Sequence, residues 1–150
     1  MGQQQILLIV LSVILVGVSV SVGISMFKSY ALTANQDAIV YDIMNIASTA
    51  YQYRLKPSTL GGGNGSFNNF TLPSHSSENS NAKYNVRILQ DGKAIEIIGT
   101  SNSYDSATIT AYYDLNLNLI NDLSNVEGME FGKGPSSSST GYIMEGWEKK

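Results

Sequence analysis

The chain has 150 residues, which is enough for about one domain. Charged residues make up 14 % and hydrophobic residues 43 %, which excludes a disordered polyelectrolyte, because such chains combine low hydrophobicity with high net charge. The net charge of −3 offers no basic footprint for nucleic acid. The chain has no cysteine and one histidine, so disulfides, thiolate metal sites, cysteine nucleophiles and two-histidine metal sites within one chain are excluded.

An uncharged apolar segment opens the chain. Residues 1–27 carry no charged side chain, and the 22 residues 6–27 are apolar except for Ser and Gly. As a helix, this run spans roughly 33 Å, enough to cross a bilayer core of about 30 Å. Three interpretations are open: a cleaved secretory signal, which would carry basic residues where glutamines 3–5 stand; an ordinary membrane anchor; and a segment that lies first in membrane and later in a filament core.

The later part of this run is an intrinsically weak helix. Residues 16–23 read VGVSVSVG and alternate with the period of a strand. Valine is stiff in a helix, and Gly costs about 1 kcal/mol relative to Ala. Lipid would keep the segment helical, because an open backbone there has no hydrogen-bond partners, whereas a packed protein assembly would allow it to loosen. Small residues also recur every fourth position, either to permit close helix approach or because they are common in membrane helices.

The helix is predicted to continue beyond the apolar run. No Gly or Pro occurs over residues 29–55, and Pro57 disfavours helix at Lys56. The predicted helix therefore spans residues 3–55, roughly 80 Å at about 1.5 Å per residue. Its second half is amphipathic and should pack on a small globular domain. The predicted apolar stripe contains Ala31, Ala34, Ala38, Tyr41, Ala47 and Tyr51, with an adjoining line of Val40, Ile43, Ile46 and Ala50. The predicted polar side contains Asn35, Asp37, Asp42, Asn45 and Gln52.

The remainder is predicted to be a loop followed by a small antiparallel sheet. Two strands flank an Asp91-Gly92 turn, a third covers residues 107–113, and a fourth strand or irregular edge covers 119–123. A short pairing segment is expected at residues 142–147. The fold class is therefore α+β, with one long helix on a small sheet. The predicted divisions are 1–28 (apolar helix), 29–55 (amphipathic helix), 56–83 (loop) and 84–150 (sheet domain).

Residues with potential for chemistry are few and scattered. His75 lies in a serine-rich loop, where a solvated side chain is expected rather than a catalytic one. The glycine-rich residues 61–65 lack the Lys-Ser/Thr ending of a phosphate-binding loop and are expected to form a flexible turn. Asp105, Asp114 and Asp122 do not match EF-hand spacing. We therefore predict no catalytic residues, cofactor or metal, and an enzyme is the least favoured class.

Some polar loop residues match patterns for glycan attachment. Asn64 and Asn69 each begin an Asn-x-Ser/Thr sequence. The candidate O-linked positions are Ser136, Ser137, Ser138 and Ser139. A plain exposed loop explains the same residues equally well.

This layout resembles the type IV pilin superfamily, which includes the pseudopilins of type II secretion. The resemblance covers the whole chain: an uncharged apolar N-terminal segment, one helix continuing into an amphipathic half, a variable loop and an antiparallel sheet. Members typically begin with an aromatic residue or Met and carry Glu at the fifth position, where this chain, counted from Met1, has Gln5. In the family, that Glu is thought to pair with the N-terminal amine of a neighbouring subunit.

The departure at Gln5 affects this N-terminal contact. Gln5 offers that amine a hydrogen bond but no charge, and an uncompensated ammonium in an apolar core is costly. The resemblance thus implies a neutralised, methylated or differently satisfied N-terminus at Met1. Prepilins also carry a basic leader ending in Gly. Either that leader was removed before Met1, or Met1 is the initiator and cleavage after Gly2 makes Gln3 the mature start. The Cys pair found in many pilins is absent, although it is not universal.

The resemblance implies a structural subunit of an extracellular type IV pilus-like filament on the cell surface. The apolar helix would hold the subunit in the inner membrane until assembly machinery moves it into a bundle of identical copies, where close packing drives association. The expected core residues are Ile6, Leu7, Leu8, Ile9, Val10, Leu11, Val13, Ile14 and Leu15. The residues expected to be partly non-helical in the filament are Gly17, Val18, Ser19, Val20, Ser21, Val22 and Gly23. A pseudopilin and a single-pass membrane protein with a small binding domain are the alternatives.

Overall fold

The fold consists of one long helix and an antiparallel sheet. The computed structural model describes residues 2–104 and 107–120, together with the backbone of residues 142–145. The helix α1 spans Gly2–Leu55, and the strands are β1 (Ala82–Leu89), β2 (Ala94–Ser101), β3 (Thr108–Asp114) and β4 (Tyr142–Glu145). Short 3-10 turns lie at Ser58–Leu60, Ser74–Ser76 and Gln90–Gly92. The chain divides into two compact units, Met1–Asn35 and Gln36–Lys150. The predicted α+β class is confirmed, while the four-part domain division stays a prediction.

The end of α1 is closed by the glycine-rich loop. Helices leave their last carbonyls without partners, and here the backbone N–H groups of that loop supply them. Gly63 donates to the carbonyl of Tyr53 (2.9 Å), and Gly65 donates to that of Arg54 (2.8 Å). A Cβ on Gly63 would lie 1.9 Å from the carbonyl oxygen of Ser66, and Gly65 has a φ of +95°. These glycines thus form a specific helix cap, in place of the flexible turn expected from the sequence.

The sheet has the strand order β1-β2-β3-β4, with all neighbours antiparallel. The predicted Asp91-Gly92 turn joins β1 to β2, and both residues adopt positive φ. β4 pairs with the outer edge of β3, which confirms the predicted pairing segment over residues 142–145. Leu119 forms only an isolated bridge with Tyr113, as an irregular edge would, and residues 121–123 lie outside the described residues.

The core of the second unit lies between one face of α1 and one face of the sheet. The buried residues of α1 are Ile39, Ile43, Ile46, Ala47 and Ala50. They pack with Ile95, Ile97 and Ile109 from the sheet, and Phe67 and Phe70 cover the same cluster from the connecting loop. The approach is closest at Gly99, where an added Cβ would lie 2.7 Å from Cγ2 of Ile39. Helix and sheet therefore share one core.

The predicted faces of the amphipathic half are partly wrong. Ala31 and Ala34 are exposed, and Tyr41 is 70 % exposed, although all three belong to the predicted stripe. Ala47 of the same stripe is buried, as are Ile43, Ile46 and Ala50 of the adjoining line, and Ile39, which lies in neither predicted row, is fully buried. The buried face is therefore centred on the isoleucines, whose branched side chains remove more apolar area from water than alanine does. Asp42, which was predicted on the polar side, is half-buried and receives a hydrogen bond from Tyr84. A sequence period alone does not separate two adjoining apolar rows.

Candidate membrane-spanning and filament-core helix

The apolar part of α1 presents its side chains to the surroundings on every side. From Ile6 to Phe27, the large hydrophobic side chains are between 52 % and 75 % exposed. The nine predicted core residues, Ile6 through Leu15 without Ser12, fall between 52 % and 69 %. By length and composition, α1 qualifies as a membrane-spanning helix, and none of its most apolar stretch is buried within the chain. An apolar surface of this kind requires lipid or protein around it.

Three of the four serines in residues 6–27 satisfy their hydroxyl groups within the helix. Ser12 donates its hydroxyl hydrogen to the carbonyl of Ile9 (2.8 Å), and Ser19 donates to that of Leu15 (2.7 Å). Ser21 donates to the carbonyl of Gly17 at 3.0 Å. A hydroxyl that bonds back to the preceding turn needs no water, so these residues are compatible with an apolar environment. These bonds were not predicted from the sequence, although serine inside an apolar helix commonly forms them.

The glycines at positions 17 and 23 have no packing role among the described residues. Nothing lies within 4 Å of a Cβ built on Gly17 or Gly23. The segment between them is helical in the single chain. Its predicted loosening concerns an assembled filament and stays a prediction.

Aromatic and charged residues follow the apolar run. Phe27 is 75 % exposed and Tyr30 is 69 % exposed, with the exposed Lys28 between them. Aromatic rings and lysines are typical of the boundary between hydrocarbon and water, where a ring spans both media and an ammonium reaches the aqueous side. In a membrane-spanning helix, residues of these types would lie at such a boundary, near residue 28.

The predicted N-terminal assembly contact requires a neighbouring copy, and the predicted glycan positions require attached sugars. Gln5 is exposed in the first turns of α1, and Met1 lies outside the described residues. Asn64 and Asn69 are both exposed on the connecting loop. Residues Ser136 to Ser139 lie outside the described residues. The roles assigned to all these positions stay predictions.

A polar cleft of about 180 Å³ lies beside the amphipathic half of α1. At its base, Oδ2 of Asp42 accepts hydrogen bonds from the Tyr84 hydroxyl (2.6 Å) and from the Asn79 amide (2.7 Å). Burial of the phenol, reinforced by the hydrogen bond and negative charge of Asp42, raises the pKa of Tyr84 well above its ordinary value. The exposed His75 lines the same cleft. These residues lie in separate predicted elements, so the cleft could not be predicted from the sequence.

A charged row crosses the face of the sheet that points away from the helix. Glu96 is 3 % exposed and accepts two hydrogen bonds from the Arg87 guanidinium, at 2.6 and 3.2 Å. The Tyr112 hydroxyl donates to the same carboxylate at 2.7 Å. Arg87 and Tyr112 are the direct partners of Glu96 in the strand register. The hydrogen bond and negative charge of Glu96 raise the pKa of Arg87. The three side chains form a polar structural lock that joins three strands.

No protein-family model matches the chain, and neither does any curated protein or solved structure. The structural finding is an α+β chain whose first unit is an exposed apolar helix and whose second unit packs the end of that helix on a small antiparallel sheet. This architecture is consistent with a pilin-like chain and with a membrane-anchored small domain.

Proposed function

We propose that this chain is a structural subunit of an extracellular type IV pilus-like filament and has no catalytic role. The proposal rests mainly on the exposure of every large apolar side chain in residues 6–27. The same helix continues into a second half that packs on the sheet. In the precursor, the inner membrane covers this surface. In the filament, the same residues of neighbouring copies cover it.

The glycines favour packing against protein over a permanent place in lipid. Gly17 and Gly23 weaken an isolated helix, and no contact in the part of the chain that the structure describes requires either of them. Lipid tails are as apolar as Leu and Val, so helices associate in membranes through close packing, which small residues permit. Close approach of helices from neighbouring copies would therefore explain why two glycines that weaken the helix occur at these positions.

The proposed assembly sequence follows from the same surface. The membrane-inserted subunit is transferred by assembly machinery into a bundle of identical copies, with the segment from Ile6 to Leu15 at its centre. Gln5 accepts a hydrogen bond from the N-terminal amine of a neighbouring copy. The weak helix between Gly17 and Gly23 loses some of its helical bonds when protein replaces lipid. The sheet domains form the outer surface.

The test is to locate the chain in cells that express it. Shearing the cell surface and collecting high-molecular-weight fibres should recover the chain in the fibre fraction. Intact-mass measurement of that material identifies the N-terminal residue, Met1 or Gln3, together with any methyl group or glycan. Recovery only in the detergent-soluble membrane fraction contradicts the proposal. Fibres confined to short periplasmic forms favour the pseudopilin alternative.

The polar cleft favours a second candidate, a single-pass membrane protein with a small binding domain. Asp42, His75 and Asn79 bring an anionic, an aromatic and an amide group to one opening. This candidate predicts monomers or small oligomers in detergent and no surface fibre that contains the chain. If the filament proposal holds, His75→Ala should leave fibre formation unchanged. The α1 residues that line the cleft follow the apolar run in the sequence, so this substitution does not alter the apolar side chains of residues 6–27.

A further inference from the structure

The loop that caps α1 contains a dipeptide that is prone to chemical change. Asn64-Gly65 is the single Asn-Gly pair in the sequence. Glycine has no Cβ, so its backbone nitrogen can approach the preceding side chain closely. The Asn64 side chain is exposed and forms no hydrogen bond with a described residue. Its carboxamide carbon, Cγ, is therefore free to meet the nitrogen of Gly65 whenever the backbone of the loop allows it.

The reaction of such a pair is intramolecular and consumes only water. The backbone nitrogen of Gly65 loses its proton and forms a bond to Cγ of Asn64, while the side-chain nitrogen takes up a proton and leaves as ammonia. The product is a cyclic succinimide. Water then adds to either ring carbonyl carbon, and the bond from that carbon to the ring nitrogen breaks. One opening gives aspartate, and the other gives isoaspartate, whose main chain runs through the former side-chain carbon.

The folded loop holds the reacting nitrogen in the helix cap. The Gly65 N–H group donates to the carbonyl of Arg54 at 2.8 Å, and the Asn64 N–H group donates to that of Lys56 at 3.0 Å. The carbonyl oxygen of Gly65 accepts a hydrogen bond from Nε of Arg54 at 3.2 Å. Ring closure removes the proton that Gly65 donates to Arg54, so the cap must open first. Exchange of the same amide hydrogen with solvent requires the same local opening.

We propose that Asn64 is a site of spontaneous deamidation whose rate is set by opening of the cap at the end of α1. The proposal does not depend on the filament function, because all of these residues belong to the second unit of a single chain.

Deamidation changes the cap in one direction only. The reaction introduces a carboxylate at the C-terminal end of α1, where the partial charge of the helix is already negative. Isoaspartate also lengthens the main chain by one atom and displaces the Gly65 N–H group from the carbonyl of Arg54. Each deamidated chain therefore has a weaker cap, and the deamidated fraction records how often the cap has opened.

Peptide mapping and amide exchange on one sample test the proposal. The unglycosylated full chain is incubated in detergent at mildly alkaline pH, either folded or in unfolding denaturant, and deamidation is followed by mass spectrometry. In denaturant, Asn64 should react faster than any other asparagine. In the folded chain, it should be slower by the protection factor of the Gly65 amide, to within about threefold. Equal rates in the two states, or no reaction at Asn64 in denaturant, overturn the proposal.

A pair of glycine variants tests the role of the cap. Gly63→Ala places a Cβ 1.9 Å from the carbonyl oxygen of Ser66 and so disrupts the loop. It should accelerate deamidation at least about threefold, while continued protection of the β2 amides shows that the sheet stays folded. Gly23→Ala is the control, because nothing lies within 4 Å of its Cβ. A Gly63→Ala chain that loses protection at Gly65 but deamidates at the native rate overturns the proposal.

A second pair of variants tests the effect of the product on the cap. Asn64→Asp carries the charge of the deamidated chain and should lower the protection of the Gly65 amide at least about threefold. Asn69→Asp makes the same change at another exposed asparagine of the connecting loop and should leave that protection unchanged. Native protection in Asn64→Asp, or equal losses in the two variants, overturns the proposed weakening of the cap.

Discussion

Gly99 is the residue on which the contact between helix and sheet depends most sharply. A Cβ at this position would lie 2.7 Å from Cγ2 of Ile39 and 3.1 Å from the ring of Tyr84. The first distance is well inside van der Waals contact, and Ile39 is fully buried, so it has little freedom to retreat. We expect Gly99→Ala to lower the free energy of unfolding of the sheet domain by about 1–3 kcal/mol, as overpacked cores do.

A double-mutant cycle isolates the cause. Ile39→Ala alone should cost about 2–5 kcal/mol, because it leaves a cavity in the core. It also removes the Cγ2 atom that the new methyl group would strike. The Gly99→Ala/Ile39→Ala variant should therefore be more stable than the sum of the single effects predicts, with a coupling of about 1–2 kcal/mol.

The assay is denaturant unfolding of the full chain in detergent, followed by near-ultraviolet circular dichroism of the buried Tyr84 and Tyr113. Gly23→Ala is the control, because no atom lies within 4 Å of its added Cβ and it should leave sheet-domain unfolding unchanged. A Gly99→Ala variant within about 0.5 kcal/mol of the native chain refutes the reasoning. So does a cycle that is additive to within about 0.5 kcal/mol.

Three further predictions concern charged and ionisable groups. Arg87→Ala leaves the buried Glu96 carboxylate without its cation and should lower the free energy of unfolding by about 2–4 kcal/mol. The control Lys83→Ala breaks an exposed ion pair and should lower it by less than about 0.5 kcal/mol. Equal effects of the two variants in denaturant unfolding would contradict the structural lock at Glu96. The pKa of Tyr84 is raised in the folded state, so its stabilising contribution is complete below the ordinary value of 10.0 and falls as the pH rises above it. In an alkaline unfolding series, Tyr84→Phe should reduce the decrease in the free energy of unfolding with pH. An unchanged pH dependence would contradict this prediction. For Asp114, burial acts to raise the pKa, but hydrogen bonds from Asn118 and Asn116 and the nearby Arg54 together lower it. The stabilising contribution of Asp114 is therefore present above pH 3.8 and is lost as the pH falls below that value. In an acid unfolding series, Asp114→Asn should reduce the decrease in the free energy of unfolding with falling pH.

The long helix and the sheet were accessible from sequence because their signals are local. The run without Gly or Pro up to Pro57 predicts an end at residue 55, and α1 ends at Leu55. The Asp91-Gly92 turn between two alternating segments predicts the β1–β2 hairpin, and both strands are present. In each case, a few neighbouring residues determine the backbone conformation.

The features that sequence reasoning missed all depend on distant residues. Glu96 gains its partners through strand register, which links residues in three separate strands. The face of α1 that packs on the sheet is centred on Ile39 and Ile43, and this leaves Tyr41 exposed and places Asp42 against Tyr84. The glycine-rich loop was identified as a turn, but its capping bonds to Tyr53 and Arg54 follow from three-dimensional proximity.

The proposed function requires that the exposed apolar helix of this chain becomes the core of a surface filament. Helical reconstruction by electron cryomicroscopy of fibres sheared from expressing cells tests it most directly. The account predicts fibres built from this chain, with the segment from Ile6 to Leu15 packed at the axis and loss of regular helix between Gly17 and Gly23. Fibres without this chain, or a chain whose apolar helix stays in lipid as a monomer, would contradict it.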